Sequence, residues 1–294
     1  MEILRKKGQM VAAKRSDREA AEGCVMAKVD GNFGAMLALK CETDFVAKNA
    51  DFVALANQIM DAAVAARCKT LDEVKNLDID GVSAAEAVVN RSGVTGEKME
   101  LDGYSTVEGE KVVAYNHMNQ SFLCTLVAFN KACDDEVAKG IAMQVAAMSP
   151  IALDESKITA EEKAKELVAI TEKTKEDEVK RAIENAIKKA GINPNLVDSD
   201  DHINSNISKG YITEEEGAKA REIIAAVEPE ARQNLNEKKI EMIAQGRLNK
   251  YYKEVCLLNQ AYIDDNKLSV ADYLKAQDKD LTVVDFKRYT LRAE

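Results

Sequence analysis

The pattern of the chain is clearest in one stretch, Ala35-Met36-Leu37-Ala38-Leu39-Lys40-Cys41-Glu42-Thr43-Asp44-Phe45-Val46-Ala47-Lys48-Asn49. Its first seven residues are apolar except Lys40, which is typical of a mostly buried strand. Asn49 can accept hydrogen bonds from the first free amides of a following helix. Beyond it, apolar residues recur at helical spacing up to about Ala66: Phe52, Leu55, Ala56, Ile59, Met60 and Ala63. The stretch therefore predicts a buried strand, a tight polar link and an amphipathic helix.

Phe45 is the unusual residue of this link, because an aromatic side chain exposes apolar surface unless something covers it. One interpretation is a core side chain that lies beneath the sheet, which the burial preference of phenylalanine favours. The other is an exposed wedge that inserts into a partner. The residues alone leave both interpretations open.

Composition limits the class of protein. The chain has 294 residues, of which 46% are hydrophobic, so it can build one large or two to three small domains with proper cores. Aromatic residues make up only 5% and prolines number three, a profile that favours helix over a β-sandwich or barrel. The formal net charge of −10 argues against a general nucleic-acid-binding protein, whose surface is basic. A protein partner fits the charge better.

The cysteines and the N-terminal sequence predict a cytoplasmic protein. The six cysteines include no C-x-x-C pair, so neither a zinc site nor a compact disulfide framework is indicated, and we expect reduced thiols. No apolar run approaches the ~20 residues that a membrane span needs. The first residues, Met1 to Lys7, lack the apolar core of a signal peptide.

Two segments share one pattern, which predicts a repeated α+β subdomain. Residues 1–22 are basic and polar, and we interpret them as a helix end and linker. In residues 23–104 a hairpin turn at Asp30-Gly31-Asn32 joins two strands, the helix follows, and 98–107 supplies a third strand. In residues 105–155 the strands 111–117 and 121–129 flank a turn at 118–120, and a helix follows from Asp135.

A shift of 91 residues aligns Asp44, Val46, Ala47 and Lys48 with Asp135, Val137, Ala138 and Lys139. We therefore predict two pseudo-repeated subdomains of antiparallel sheet with packed helices, although shared turn chemistry is an alternative explanation of so short a match. The strand-like residues 279–294 are expected to complete the second sheet. The second copy has Glu136 where the first has Phe45, so Phe45 is the better candidate for function.

The remaining segments are rich in charge and predicted to be helical. Residues 156–230 form a charged helical insertion, mostly solvated, with a polar loop at 198–209 between its helices. Residues 231–278 are predicted to form a projecting helical hairpin, or coiled coil, with apolar stripes that include Ile240, Ile243 and Leu248 on the first helix.

No group of residues in the sequence resembles a catalytic centre. The only histidines, His117 and His202, have no obvious orienting partner, and no glycine-rich phosphate loop occurs. The run from Asp198 to His202 lacks the spacing and the closing glutamate of a calcium loop. The sequence therefore predicts a protein that is not an enzyme and that has no cofactor and no metal.

Two motifs resemble the elongation factor Ts family: Cys41-Glu42-Thr43-Asp44-Phe45-Val46-Ala47-Lys48-Asn49-Ala50-Asp51-Phe52, and Ile243-Ala244-Gln245-Gly246-Arg247-Leu248-Asn249-Lys250-Tyr251-Tyr252-Lys253-Glu254. The resemblance covers residues 4–155 and 231–294. It implies an exchange factor that binds elongation factor Tu, GDP-bound and nucleotide-free, and promotes GDP release by displacing its magnesium ion. Relative to the family pattern, the N-terminal helical domain is expected to be missing and 156–230 to be inserted.

The resemblance also implies the site residues. The partner-binding segment that displaces magnesium would be Thr43, Asp44, Phe45 and Val46, with Phe45 as wedge and Asp44 as a nearby negative charge. Secondary partner contacts would come from Gln144, at a position where the family commonly has histidine, and from Arg247.

Two other hypotheses remain. A structural or assembly protein would use the charged helices for protein binding and the α+β repeats to form a homodimer. A hydrolase using aspartate and cysteine has no supporting group of residues in the sequence.

Overall fold

A computed structural model describes residues 2–15, 17–119 and 121–292. Met1 and Ser16 of the predicted linker, Gln120 of the predicted turn, and the last two residues of the predicted second subdomain lie outside the described residues. The architecture is α+β, with small antiparallel sheets and packed helices, which confirms the predicted fold class. No described helix is long and apolar enough to cross a membrane.

The first half of the chain alternates strands and helices. In order, its elements are α1 Glu2–Lys14, β1 Glu22–Asp30, β2 Phe33–Cys41, α2 Asp44–Ala47, α3 Ala50–Ala65, α4 Leu71–Lys75, β3 Asp78–Ile79, β4 Val82–Ser83, α5 Ala84–Thr95, β5 Met99–Glu108, β6 Lys111–Asn116, β7 Leu123–Phe129 and α6 Asp135–Met148.

The second half is mostly helical. Its elements are α7 Ala160–Lys189, α8 Asp200–Ser208, α9 Glu214–Gln233, α10 Glu237–Val255, β8 Ala261–Tyr262, β9 Asp265–Ser269, α11 Val270–Gln277 and β10 Val283–Thr290. The chain divides into two compact units, residues 1–155 with 253–294, and residues 156–252.

The two main sheets of the first unit have equivalent strand orders. In the first sheet the β1–β2 hairpin is extended by β5, which pairs antiparallel with β2. In the second sheet the β6–β7 hairpin is extended by β10, which pairs antiparallel with β7. Each hairpin is followed by a helix that covers its sheet, α3 in one case and α6 in the other.

The central strands β2 and β7 lie between two layers of core. One face of each sheet packs on its own helix, and the other faces pack together through a shared cluster that includes Met36, Val107 and Leu126. Side chains of a strand alternate between faces, so a strand covered on both sides needs apolar residues at every position. This explains the continuous apolar run before the link. At Gly34 a Cβ atom would lie 2.8 Å from Val112 Cγ1, so the close approach of the sheets requires glycine.

The predicted linker 1–22 contains a 13-residue helix, α1, which packs against α5 rather than forming only a helix end. The predicted loop at 198–209 is also wrong, since residues 200–208 form α8. The Ser199 hydroxyl caps α8, and Ile203 lies in an apolar cluster with Ile187 and Ala220. The helix was not predicted because most residues of this segment are polar and its apolar face is short.

The predicted hairpin of residues 231–278 does not form. Its second helix, α11, packs in the first unit, where Val270 and Leu274 share a core with Leu257 and Tyr262. The residues of α10 up to Tyr252 belong to the second unit with α7 and α9. Within the second unit α7 packs against α9, and ion pairs of Lys239 and Arg247 join α10 to α7. The predicted segment 156–230 and the first part of the predicted hairpin therefore form one compact unit.

Candidate functional site

Two successive caps break the chain into two helices where β2 ends. Thr43 is the N-cap of α2, and its Oγ1 accepts a hydrogen bond from the Val46 amide at 3.4 Å. Asn49 is the N-cap of α3, and its Oδ1 accepts from the amides of Asp51 and Phe52. Thr43 starts the first helix after the strand, and the extended backbone of Asn49 separates that helix from the next. The result is a one-turn helix, α2, that stands between sheet and helix.

Phe45 is exposed on this turn. Its side chain is 84% accessible, the highest value among the large apolar side chains that the structure describes. The core interpretation of Phe45 is therefore wrong. Its neighbours Val46 and Ala47 are partly buried and pack against the first core, which anchors the turn. We call the segment Thr43–Lys48 the tip.

The tip carries one compensated negative charge. Lys48 Nζ donates to Asp44 Oδ2 at 2.7 Å, one helical turn away. The hydrogen bond and the nearby positive charge of Lys48 hold the pKa of Asp44 below its usual value, and the same pair raises the pKa of Lys48. Asp44 is therefore ionised at neutral pH, and its charge is balanced in the free protein.

Glu97 anchors the start of the tip from a distant part of the sequence. Thr43 N–H donates to Glu97 Oε2 at 3.1 Å, and Thr43 Oγ1–H donates to Glu97 Oε1 at 2.7 Å. Gly96, before it, ends α5 with a φ of +77°, a left-handed conformation that glycine adopts without strain. The two hydrogen bonds connect residues 54 positions apart.

Glu42, the residue before the tip, is held by a second set of hydrogen bonds. Its carboxylate accepts from the Lys98 amide at 2.7 Å and from Arg15 Nη1 at 2.7 Å. The side chain is only 9% exposed. Burial by itself would raise the pKa of Glu42, but these hydrogen bonds and the charge of Arg15 outweigh it and lower the pKa.

Arg91 of α5 braces the other end of the tip. Its Nη2 donates to Asn49 Oδ1 at 2.7 Å and to Asp51 Oδ2 at 2.8 Å, and its side chain is 16% exposed. Sequence reasoning did not identify Arg91 or Glu97 as part of the site. Contacts between residues so far apart leave no local signal, although the Gly96-Glu97 pair stands before the third predicted strand.

Gln144, predicted as a secondary partner contact, is fully buried in the free chain. Its Nε2 donates to Gln260 Oε1 and Ala261 O, both at 3.1 Å, and its Oε1 accepts from the Ile263 amide at 2.8 Å. Gln144 therefore fixes the segment after the 3-10 helix Leu257–Asn259 onto α6. Its position could have been read from the sequence, because it follows buried Ile141 by three residues on one helix face.

Arg247 lies in the second unit, on α10. Its Nη2 forms an ion pair with Asp177 at 2.6 Å, and its Nη1 donates to Thr174 Oγ1 at 3.1 Å. Both partners are on α7, so Arg247 joins the two helices. The structure thus brings together the four predicted residues of the tip, and it gives Gln144 and Arg247 internal partners.

The described residues include no group of three or more histidine, cysteine or acidic side chains that could hold a metal ion. All six cysteines are free thiols. Burial, followed by the nearby charge of Glu97, raises the pKa of Cys41 to about 12, so this thiol next to the tip stays protonated. The imidazole of His202 hydrogen-bonds to Asp198 Oδ1 through Nδ1 at 2.5 Å, and both side chains are exposed.

An exposed aromatic side chain on a turn braced from both ends is typical of a protein–protein contact. A few such side chains, buried in the partner, supply most of the binding energy of an interface. The fold and the tip thus define a protein-binding factor. The family model described as "Elongation factor TS" matches residues 42–293. Elongation factor Ts of Bacteroides fragilis is 60% identical over 294 residues, which cover 100% of this chain and 89% of that protein.

Two further relatives agree. Elongation factor Ts of Bacteroides thetaiotaomicron is 59% identical with the same coverage, and that of Porphyromonas gingivalis is 40% identical over 295 residues, covering 100% of this chain and 87% of that protein. The chain belongs to the elongation factor Ts family. Membership gives it a role as a nucleotide-exchange factor in translation elongation.

Proposed function

We propose that this chain binds elongation factor Tu in its GDP-bound and nucleotide-free states and promotes GDP release by displacing the magnesium ion. It acts in the cytoplasm as a binding protein rather than as an enzyme, and it uses no cofactor of its own. The observation that carries the proposal is Phe45, which is 84% exposed on a turn whose two ends are braced.

The size of the required effect supports a wedge. An exchange factor must bind the GTPase without nucleotide more tightly than with it, because coupling between two ligands is reciprocal. Weakening the hold on a nucleotide by ~10⁴-fold requires about 5.5 kcal/mol of differential binding. A surface ion pair contributes about 0–1 kcal/mol, whereas full burial of a large apolar side chain contributes about 1.5–3 kcal/mol. Phe45 supplies the largest single contribution at the tip, and other contacts must add to it.

Magnesium is the sensitive point of a bound nucleotide. The ion requires nearly ideal octahedral coordination, so a small displacement of its ligands sharply weakens the binding of the ion. Insertion of Phe45, with the carboxylate of Asp44 beside it, would move those ligands, and the phosphates of GDP would lose their counter-charge. Thr43 and Val46 support this action by capping and packing the turn.

Secondary contacts are proposed from both units. Gln144 would contribute indirectly, by holding the Ile263 segment against α6 beside the exposed Met143. Arg247 is about one-third exposed and would keep part of its guanidinium available to a partner while it pairs with Asp177.

The experiment is the release of a fluorescent GDP from elongation factor Tu of the same organism, with and without this chain. We expect acceleration by the chain and its loss in Phe45→Ala. A well-folded chain that leaves the release rate unchanged would overturn the proposal. Acceleration that survives in Phe45→Ala would keep exchange activity but remove it from the tip.

A further inference from the structure

We propose that Glu97 is a positioning residue for nucleotide exchange: it fixes the orientation of the turn that presents Phe45. The inference rests on the proposed function of the tip and adds a residue that lies outside the tip itself. Glu97 follows α5, and the structure connects it to the tip only through Thr43 among the hydrogen bonds described for its carboxylate.

The first step of the argument is the direction of the hydrogen bonds. An ionised carboxylate only accepts, so Glu97 obliges both the amide and the hydroxyl of Thr43 to donate to it. Once the hydroxyl proton points to Glu97, the lone pairs of Thr43 Oγ1 are left for the Val46 amide, which donates to it at 3.4 Å. Glu97 therefore orients the cap, and the cap holds the residue that follows Phe45.

The second step is that the chain segment around the end of α5 holds the tip at both of its ends. Arg91, in the last turns of α5, holds Asn49 and Asp51 beyond the tip, while Glu97 holds Thr43 before it. Both anchors come from one stretch of chain that begins in α5 and enters β5. Since β5 pairs with β2 from Phe33 opposite Glu108 to Cys41 opposite Met99, with one bulge, the same strand pair carries the anchors and the tip.

The third step is energetic. A side chain that must enter a partner at a defined place loses affinity and rate when it is loosely held, because ordering it on binding costs free energy. A displacement of about 1 Å in a positioned group can cost about 10²-fold in rate. The Phe45 side chain is 84% exposed in the free chain, so its placement depends on the backbone of α2 and on the groups that hold that backbone.

The test uses Glu97→Ala and Glu97→Gln, each alone and combined with Phe45→Leu, in the full chain. Phe45→Leu shortens the wedge but keeps an apolar side chain, so part of the acceleration should remain to be measured. Maximal acceleration of GDP release at saturating factor is measured separately from the factor concentration that gives half of it. We expect Glu97→Ala to lower the maximal rate about tenfold, equivalent to ~1.4 kcal/mol, with a smaller change in half-saturation. Glu97→Gln retains one acceptor for Thr43, so it should keep part of the activity.

The double variant separates positioning from general support of the fold. If Glu97 acts through Phe45, Glu97→Ala should lower the rate by a smaller factor in Phe45→Leu than in the unmodified chain, because a shorter wedge depends less on its orientation. The control is Glu73→Ala, which removes a carboxylate that accepts from the Thr70 amide at the start of α4. The control should leave the exchange rate unchanged.

A readout without elongation factor Tu keeps this inference distinct from the proposed function. Amide hydrogen exchange of Thr43 and Val46 should accelerate in Glu97→Ala, while the amides within α3 stay protected. Unchanged protection of those two amides, or equal fold-losses of rate in the unmodified chain and in Phe45→Leu, would overturn the positioning role. If the unmodified chain does not accelerate GDP release, the proposed function fails, and the amide measurement still decides whether Glu97 orders the tip.

Discussion

Asp44 and Lys48 form an ion pair of 2.7 Å across the single helical turn that carries Phe45. Both side chains remain in contact with water, so the pair contributes little to folding, but it sets the charge state of the tip. A partner that approaches Phe45 meets a carboxylate that is ionised and already neutralised by its neighbour.

The first prediction concerns the pKa of Asp44. Its folded pKa lies below the unfolded value of about 3.9, so the pair's stabilising effect is present above that value and is lost as the pH falls through the folded pKa. In Lys48→Met the hydrogen bond is absent, and we expect the pKa of Asp44 to rise toward its usual value. A carboxyl titration followed by NMR measures this. An unchanged titration curve would mean that Lys48 does not pair with Asp44 in solution.

The second prediction compares two phenylalanines, one exposed at the tip and one buried in the following helix. Phe45→Ala should change the free energy of unfolding by no more than about 0.5 kcal/mol, because Phe45 is exposed. Phe52→Ala, seven positions later in α3, should cost about 3–5 kcal/mol, because Phe52 is fully buried. Urea unfolding followed by circular dichroism checks both. A large loss in Phe45→Ala would show that Phe45 packs in solution.

The third prediction concerns Glu42 and pH. Because its folded pKa is lowered, its stabilising contribution is present above the unfolded value of about 4.3 and disappears as the pH falls through the folded pKa. Glu42→Gln leaves the Lys98 amide and Arg15 with a weaker acceptor, so we expect a loss of about 1–3 kcal/mol at pH 7.

The difference between Glu42→Gln and the unmodified chain should shrink on acidification toward pH 3, as measured by melting temperature against pH. Glu110→Gln, an exposed carboxylate at a turn, is the matched control and should show no such difference at any pH. A pH-independent gap for Glu42→Gln would contradict the assigned charge.

The fourth prediction tests the buried role of Gln144. Gln144→Leu has a similar volume but leaves the Ile263 amide and the Ala261 carbonyl without their partner, so we expect a loss of about 3 kcal/mol in unfolding free energy. Met143→Ala, at the exposed neighbour, should lose no more than about 0.5 kcal/mol. If Gln144→Leu folded with unchanged stability, a contact role at the surface would have to be reconsidered.

The fifth prediction separates two roles of Arg247. Arg247→Met and Asp177→Asn both remove the same ion pair between α10 and α7, so they should weaken the helical unit by similar small amounts. If Arg247 also contacts elongation factor Tu, only Arg247→Met should raise the concentration of chain that gives half-maximal GDP release. Equal effects of the two variants would limit Arg247 to its structural role.

The predicted fold class is confirmed, and the reasons are visible in particular elements. The apolar run before Cys41 and the helical spacing after Asn49 correspond to β2 and α3, since local periodicity reports which faces are buried. Segments whose burial depends on distant partners were predicted less well. α8 was missed because few of its residues are apolar, and α11 was paired with the wrong helix.

The candidate site shows the same division. Thr43 and Asn49 are caps that a sequence reveals, because capping residues act on amides two or three positions away. Phe45 could not be assigned to core or surface from its identity, since its exposure depends on a short helix that starts at the Thr43 cap and is separated from α3 by the Asn49 cap. Glu97 acts across 54 residues, and only the pairing of β5 with β2 brings it to the tip.

The repeat has a consequence for how many partners the scaffold accommodates. In the first copy Thr43 and Asn49 interrupt the helix, whereas in the second copy a single cap at Asp134 starts α6, which continues through Glu136 and Lys139 without a break. Two copies of one architecture would ordinarily offer two equivalent docking points. Only the first copy has the interrupted helix, so the two subdomains share a strand order but differ in the surface that follows their central strand. A partner that recognises the short helix therefore finds it once among the described residues.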